Sequence, residues 1–584
     1  MTTVEEAARP SGPIAVRAHP RVAGALFSAR RTRELVLLAL GSSALAIGMS
    51  WPLVLHPSSR IAQDLGDPIR TAWQVAWTGH ALLHDPTHIW QSNSFWPLGN
   101  SLTFSDSLLG YSWAGLIGHG EVAALVRYNL LFLLAYALAF AGAYLLGREL
   151  GLRPVAAAVV GMAFAYAPFR STMNGHLHVI SSGGIPLSLF LLVRGYRRGL
   201  PKVAVAGWVV AAWQLSLGFT LGLQLAYLLA VLALVFVAIW WRRGRPAPPR
   251  ALVGATLAGV ALFAVVGAFQ ARPYLKVADD FHTAKRSAAE VQRYSAPPKA
   301  FLAATPENRI WSGATAHVRN SLSSPNESSL FPGVAIVALA VAGVGAAAVY
   351  SRGLRMGLAI AVVVCAILSL GFGIFDGRLS YRLLFDYAPG WNGVRTPGRI
   401  VTLTSLGLAL LAGAGAQRLV DAVRGRRLAL AVAVALPLVV LAEGSWTLAK
   451  PLVPRAPSAQ AGVPSPQIHL PADPSDDRLY QFWSVDGFPK IENGVSTFDI
   501  KAQDDVRGAM ANFPDRRSVD VLRRLGIRTI VLHTNLRRVP LPKPFFAGRM
   551  PPHPRLAARK PVRGLGLTRR RGRGVVIYEI RGRR

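Results

Sequence analysis

The stretch Glu34–Leu55, ELVLLALGSSALAIGMSWPLVL, decides how the rest of the chain is read. It is about as long as a helix needs to cross a bilayer. The residues before it are polar and basic, with Arg21, Arg30, Arg31 and Arg33. A cleaved secretory leader has a shorter apolar segment, so this one is expected to stay as a signal anchor. A polar region follows, and it opens on Asp64-Leu65-Gly66-Asp67-Pro68. Two carboxylates three residues apart, beside a membrane, in a chain of formal net charge +35, mark an expected active-site entrance.

The rest of the chain repeats the apolar pattern. Of its 584 residues 52% are hydrophobic and only 16% charged, with a mean hydropathy of +0.34. Soluble domains carry about 25% charged residues. The positive charge therefore points to basic loops between spans rather than to nucleic acid. The single cysteine, Cys365, lies in an apolar run, so no intrachain disulfide is possible.

Further apolar runs cover residues 123–147, 155–167, 179–193, 203–217, 219–241, 252–269, 334–350, 354–375, 400–419 and 428–442. With the first, eleven spans are expected. The connections bearing Arg148/Arg153, Arg194/Arg197/Arg198, Arg242/Arg243/Arg245, Arg352/Arg355 and Arg424/Arg426/Arg427 are all basic, which assigns them and the N-terminus to the cytoplasm. The apolar patch Leu108–Ile117 is then expected to lie at, or dip into, the outer surface as a helix.

The expected organisation is mainly α. A basic cytoplasmic N-terminus (1–33) precedes a polytopic membrane helix bundle (34–447) with large outer loops at 56–122 and 270–333. A proline-rich linker (448–470) leads to a small extracytoplasmic α/β domain with a basic tail (471–584). In that domain Arg516–Leu525 reads as a helix, and Thr529–His533 and Val575–Ile580 read as strands. The Arg-rich tail is expected to be solvated or to meet lipid headgroups. Its place outside the membrane excludes a nucleic-acid partner.

Within the first outer loop, Asp67 is placed as an N-cap with Pro68 at the first helical position. Trp73, Trp77, His80 and His84 follow on one face, as in a helix lying in the headgroup zone. Asp85-Pro86 ends it. Two readings of Asp67 stand together: a helix cap, and a carboxylate that takes a hydroxyl proton or holds a divalent cation, Mg or Mn. A helix N-terminus lowers a carboxylate's pKa and weakens it as a base. Asp64 is a solvated loop residue or an assisting acid. Asp106 reads as a cap for the patch that follows it. His80 and His84 have metal-binding spacing, but the interfacial-helix reading takes precedence.

Arginines arrive on the same outer face. Arg395 and Arg399 flank Thr396-Pro397-Gly398 at the mouth of a span. They are either snorkelling anchors or ligands of a phosphate. His176 is a candidate for contact with a sugar or a phosphate, and Arg286 and Arg170 are further substrate-binding candidates. No phosphate-cradling glycine loop, nucleophile elbow or zinc signature is present.

Several pieces occur in a telling order. Gly66-Asp67-Pro68 is followed by the Trp-rich segment and Phe95-Trp96-Pro97-Leu98-Gly99-Asn100. Gly175-His176, Arg286-Ser287, Tyr294-Ser295-Ala296, Glu327 ahead of Leu330-Phe331-Pro332-Gly333, Arg395–Arg399, Asn493-Gly494 and Phe513-Pro514-Asp515 come next. In this the chain resembles the GT-C-fold superfamily of membrane glycosyltransferases, and more closely the bacterial YfhO-like, or glycosyltransferase-like, multi-spanning membrane proteins. The resemblance implies an acidic residue in the first outer loop as base or metal contact, two surface helices in that loop, and a polyprenyl-phosphate sugar donor. Asp67 is the matching position. Asp64 lies three residues away, where many members have adjacent acids or Asp-x-Asp.

The expected function is transfer of a sugar from that donor to a glycan, lipid or protein acceptor of the cell envelope. The expected place is the outer face of the cytoplasmic membrane, among its lipids. The alternatives are a non-catalytic assembly protein of the same fold, and a transporter or flippase of lipid-linked glycans.

Overall fold

The computed structural model describes residues 29–536 and 553–581. The basic N-terminus before residue 29 and part of the expected basic tail lie outside the described residues. Contacts divide the chain into Met1–Gly41, of which the described part is the start of helix α1 (Ala29–Ser50), and Ser42–Arg584.

In the larger unit, every expected apolar run contains a helix, although 334–350 and 354–375 are helical only to Val344 and Ser369 and 179–193 is interrupted at residues 181–183. The helices are α4 (Gly120–Glu149), α5 (Pro154–Ala165), α6 (Leu177–Ile180) with α7 (Gly184–Arg197), α8 (Pro201–Leu215), α9 (Phe219–Arg242) and α10 (Arg250–Asp280). They continue with α14 (Val334–Val344), α15 (Arg352–Ser369), α17 (Val401–Ala422) and α18 (Arg426–Glu443). Among the described residues seven helices are long and apolar enough to cross a membrane, or eight with the bent pair of α5 and Pro168–Gly175. This is a multi-pass membrane protein. α4, α7 and α17 are mostly buried among other helices, whereas α9, α10 and α15 expose apolar faces, as with Leu234, Val265 and Ile360. Apolar surface outside a bundle is what lipid, rather than water, allows.

The loops supply short helices: α2 (Asp67–His84) and α3 (Ser112–Gly115), then α11 (Ala288–Tyr294), α12 (Ala316–Asn320) and α13 (Pro325–Ser328), and α16 (Tyr381–Tyr387). Leu108–Ile117 forms only the short α3 with a preceding turn. It buries Leu108, Tyr111 and Ala114 and exposes Trp113, Leu116 and Ile117. α2 packs against α3, α4 and the C-terminal domain. The α2–α3 crossing requires two glycines. A Cβ on Gly79 would lie 2.2 Å from the carbonyl carbon of Gly115, and one on Gly115 would lie 2.2 Å from the Val75 oxygen.

Two helix N-termini are capped from far away in sequence. Asp106 Oδ1 accepts from Phe219 N (2.7 Å) at the start of α9, 113 residues on, instead of capping the patch beside it. Glu443 accepts from Val334 N and Ala335 N (2.5 and 2.9 Å) at the start of α14. Each satisfies donors that a helix start otherwise leaves unpaired.

The C-terminal domain carries a sheet of order β1-β2-β4-β3: β1 (Gln467–Leu470), β2 (Thr529–His533), β3 (Leu567–Gly572) and β4 (Val575–Ile580). β1 pairs parallel with β2, and the other pairings are antiparallel. β1 begins inside the segment read as linker. Helices α19 (Pro474–Trp483), α20 (Lys501–Met510), α21 (Arg516–Arg524) and α22 (Pro554–Ala557) complete it. Its core is Ile468, Leu470, Phe513, Leu522, Ile530, Leu532 and Tyr578.

The domain is laced to the loop over residues 56–122. Ile491 N donates to Asn93 O (2.8 Å), Trp96 N to Ile491 O (2.9 Å) and Thr497 N to Phe104 O (2.8 Å). A Cβ on Gly494 would meet the Phe95 ring at 2.6 Å. Asn493 donates to His469 O and to Asp477 Oδ1, which fixes this strand-like segment to β1 and α19.

Candidate active site

Asp67 differs from its expected role. It is the first residue of α2, after the N-cap Gly66, rather than the cap itself. Asp64 does the local work instead: its Oδ1 accepts from Gly66 N at 2.6 Å. The Asp67 carboxylate therefore faces other side chains. Arg70 Nη2 lies 3.4 Å from Oδ1, Arg478 Nε 3.6 Å from Oδ1, and His176 Nε2 3.5 Å from Oδ2. These are charge contacts longer than good hydrogen bonds. The carboxylate, 26% exposed, keeps acceptor capacity for a ligand.

Several buried polar atoms nearby also lack partners: the donors Arg70 Nε, Arg478 Nε, Asn174 Nδ2 and the Tyr128 hydroxyl, and His176 Nδ1. Buried polar groups are normally satisfied, so such a cluster calls for an explanation. Anionic oxygens of a substrate would supply acceptors for these donors.

Electrostatics drives the two acids apart. Burial alone would raise the Asp67 pKa, but Arg70, His176, Arg478 and His178 together hold it well below the usual carboxylate range. For Asp64 burial prevails over the Gly66 hydrogen bond, and the negative Asp67 adds to it, so its pKa is raised. Neighbouring carboxylates with opposed shifts are suited to different roles.

A second group adjoins the first. Arg399 holds Glu327 in a two-pronged pair, Nη2–Oε1 2.9 Å and Nε–Oε2 3.3 Å, and its Nη1 faces His178 Nε2 at 3.2 Å. His178 Nε2 is also 3.5 Å from Asp106 Oδ2. Burial raises the Glu327 pKa, but Arg399 and its neighbours bring it down to about 2. With its fork engaged and its side chain 8% exposed, Arg399 is placed to organise the site rather than to grip a phosphate alone.

The other candidates divide. Arg395 donates one bond to Thr497 O (3.2 Å), lies over the Tyr294 ring and remains 33% exposed. Arg286 is half-buried, with Nη1 and Nη2 donating to Thr497 and Nη1 also to Glu290. Arg170 is buried beneath, donating to Ser182 Oγ and Ile180 O and holding the break between α6 and α7. Asp67, His176, Arg395 and Arg478 form the accessible rim.

Trp73 is not at the headgroups. It is buried, and its indole donates to Asn93 Oδ1 (2.9 Å). Trp77 and His80 pack on Phe488 of the C-terminal domain, and His84 stacks on His80 at 4.2 Å. The face foreseen for lipid is covered by protein at Trp73 and partly at Trp77 and His80, while His84 is exposed.

Two site residues had escaped the sequence reading. Arg70 stands at i+3 from Asp67, a spacing legible on a helix. Arg478 had no local signal, since α19 brings it from 411 residues away. A divalent cation does not fit this arrangement. The Asp67 oxygens already face two guanidinium groups, and among the described residues no three His, Cys, Asp or Glu side chains converge.

No protein-family model and no curated protein matches the chain. Solved structures do. The arabinofuranosyltransferase AftD from Mycobacteria superposes with a TM-score of 0.56 at 16% identity, covering 94% of this chain and 40% of AftD. Its R1389S mutant gives 0.50 at 17% identity, with 94% and 42% covered. The chain thus spans about 40% of the length of AftD. The apo oligosaccharyltransferase from Archaeoglobus fulgidus overlaps less, at a TM-score of 0.46 and 14% identity, over 86% and 69% of the two chains.

Proposed function

We propose that this chain, which has the GT-C fold, transfers a sugar from a polyprenyl-phosphate carrier to a cell-envelope acceptor at the outer face of the cytoplasmic membrane. The observation that carries the reading is the partly exposed Asp67 carboxylate, which faces Arg70, Arg478 and His176 at 3.4–3.6 Å and lies beside buried polar atoms without hydrogen-bond partners. The fold shared with AftD supports it.

In this reading the donor's phosphate enters beside Arg395, Arg478 and Arg70. Their guanidinium groups stabilise charge that grows as the sugar–phosphate bond breaks, the largest rate term in such a site. Glu327 and His178 keep Arg399 in place behind them. Asp67 accepts a hydrogen bond from the acceptor hydroxyl and orients it toward the anomeric carbon. Because Asp67 is a weak base, it takes the proton only as the new bond forms. Asp64, with its raised pKa, is the better resting place for that proton. His176 holds Asp67 from the side opposite the arginines.

The test is Asp67→Asn in the intact chain, with its level in the membrane checked. The variant keeps the shape and removes the charge. Turnover is expected to fall by about a hundredfold or more, and polyprenyl-linked sugar to accumulate. Unchanged envelope glycans at normal protein level would refute the catalytic role.

A further inference from the structure

The basic end of the chain has almost nothing acidic beside it. Residues 553–581 hold eight arginines and one lysine against one carboxylate, Glu579. Arg569, Arg570 and Arg571 lie on β3, the edge of the sheet, and Arg573 lies in the turn to β4; all four are exposed. Among the described residues none of the four pairs with a carboxylate, while Arg569 donates to the carbonyls of Ala558 and Lys560. One or two charges are enough to block unwanted pairing at a sheet edge. Nine cations gathered around one hairpin exceed that need.

Position decides what they meet. The turn packs on the linker, where a Cβ on Gly572 would come 2.6 Å from the Ala459 Cβ. Three residues earlier, Ala456 N donates to Glu121 Oε1 (3.2 Å), and Arg455 Nη1 lies 3.9 Å from Glu121 Oε2. Glu121 is the second residue of α4, a helix able to cross the membrane. The hairpin is therefore tied, through Arg455–Ala459, to the end of a span, where headgroup phosphates are found. Leu556, 60% exposed between the exposed Arg555 and Arg559, adds an apolar tip.

We propose that the β3–β4 hairpin is a docking surface for anionic phospholipid headgroups. Guanidinium groups pair with phosphate oxygens in two-pronged fashion. Their attraction to a charged surface fades within a Debye length, so this adjacency to a span is what makes it effective. The proposal stands independently of the transferase reading.

The full-length protein in nanodiscs tests it. Discs of phosphatidylcholine alone are compared with discs that also contain phosphatidylglycerol, and amide hydrogen exchange is read over residues 567–581. Exchange is expected to slow about tenfold in the anionic discs. The difference should vanish in about 0.5 M salt and in the triple variant R569Q/R570Q/R571Q, with α2 exchanging alike throughout. The triple R569K/R570K/R571K keeps the charge and should retain the slowing. Equal exchange in both disc types overturns the proposal. So does slowing that appears only with an added soluble anionic polysaccharide and is the same in both discs, which would assign the surface to a polymer.

Discussion

Arg478 reaches Asp67 from a different part of the chain, and its Nε has no hydrogen-bond acceptor. If it grips the donor phosphate, Arg478→Gln weakens binding of polyprenyl phosphate about tenfold or more, the worth of a charge-assisted bond. Arg478→Lys should recover part of it, since a point charge replaces the fork. Titration of the purified variants with polyprenyl phosphate alone reads this without an acceptor, and equal affinities would reduce Arg478 to a structural ion pair. Asp67 also makes a statement about pH. Its folded pKa lies below its unfolded value. Its contribution to stability is thus fully present above the unfolded pKa and is lost only as pH falls through the folded one. Any acid limb of turnover above about pH 4 must come from another group.

At the scale of elements, the α2–α3 crossing is the tightest packing near the site. Gly115→Ala pushes a methyl group into backbone, and should lower stability by about 1–3 kcal/mol or more. A lower thermal midpoint in detergent, with a smaller effect at the unhindered Gly41→Ala, would bear this out. α2 was legible as a helix from its Pro68 start and Asp85-Pro86 stop, because those signals are local. Its environment was not. The Trp and His stripe reads the same whether lipid or Phe488 lies opposite, and only tertiary contacts choose. Asp106 shows the same limit: a carboxylate two residues before an apolar patch looks like its cap, yet the helix start it satisfies is that of α9.

At the scale of the molecule, apolar runs and basic loops made the helix bundle legible, since bilayer thickness and charge bias act on every span alike. Thr529–His533 and Val575–Ile580 were legible as strands because they are short, apolar and bounded by turns. β1 was hidden by prolines and β3 by its arginines. The domain they build carries its own pH response. Burial, with the negative Asp477 nearby, pushes Glu492 up to about 8 against the pull of Arg507. The folded chain therefore keeps a proton that the unfolded chain has released. This favourable contribution is fully present below the unfolded pKa, near 4.5, and is lost as pH rises to about 8. Glu492→Gln should flatten that decline and raise the thermal midpoint relative to wild type at about pH 9. Parallel midpoint curves for the two proteins would refute it.

The hydrogen bonds between Asn93–Phe104 and Ile491–Thr497 join segments almost 400 residues apart. On a ribosome that separation is a delay. The loop over residues 56–122 is made long before Ile491, Asn493 and Arg478 have been synthesised. Trp73 and Asp67 must wait for their cover until the last quarter of the chain emerges, and closing so long a loop is slow. The site is therefore finished last, and a nascent chain halted within the bundle has the membrane helices but lacks Arg478 and the cover that the C-terminal domain supplies.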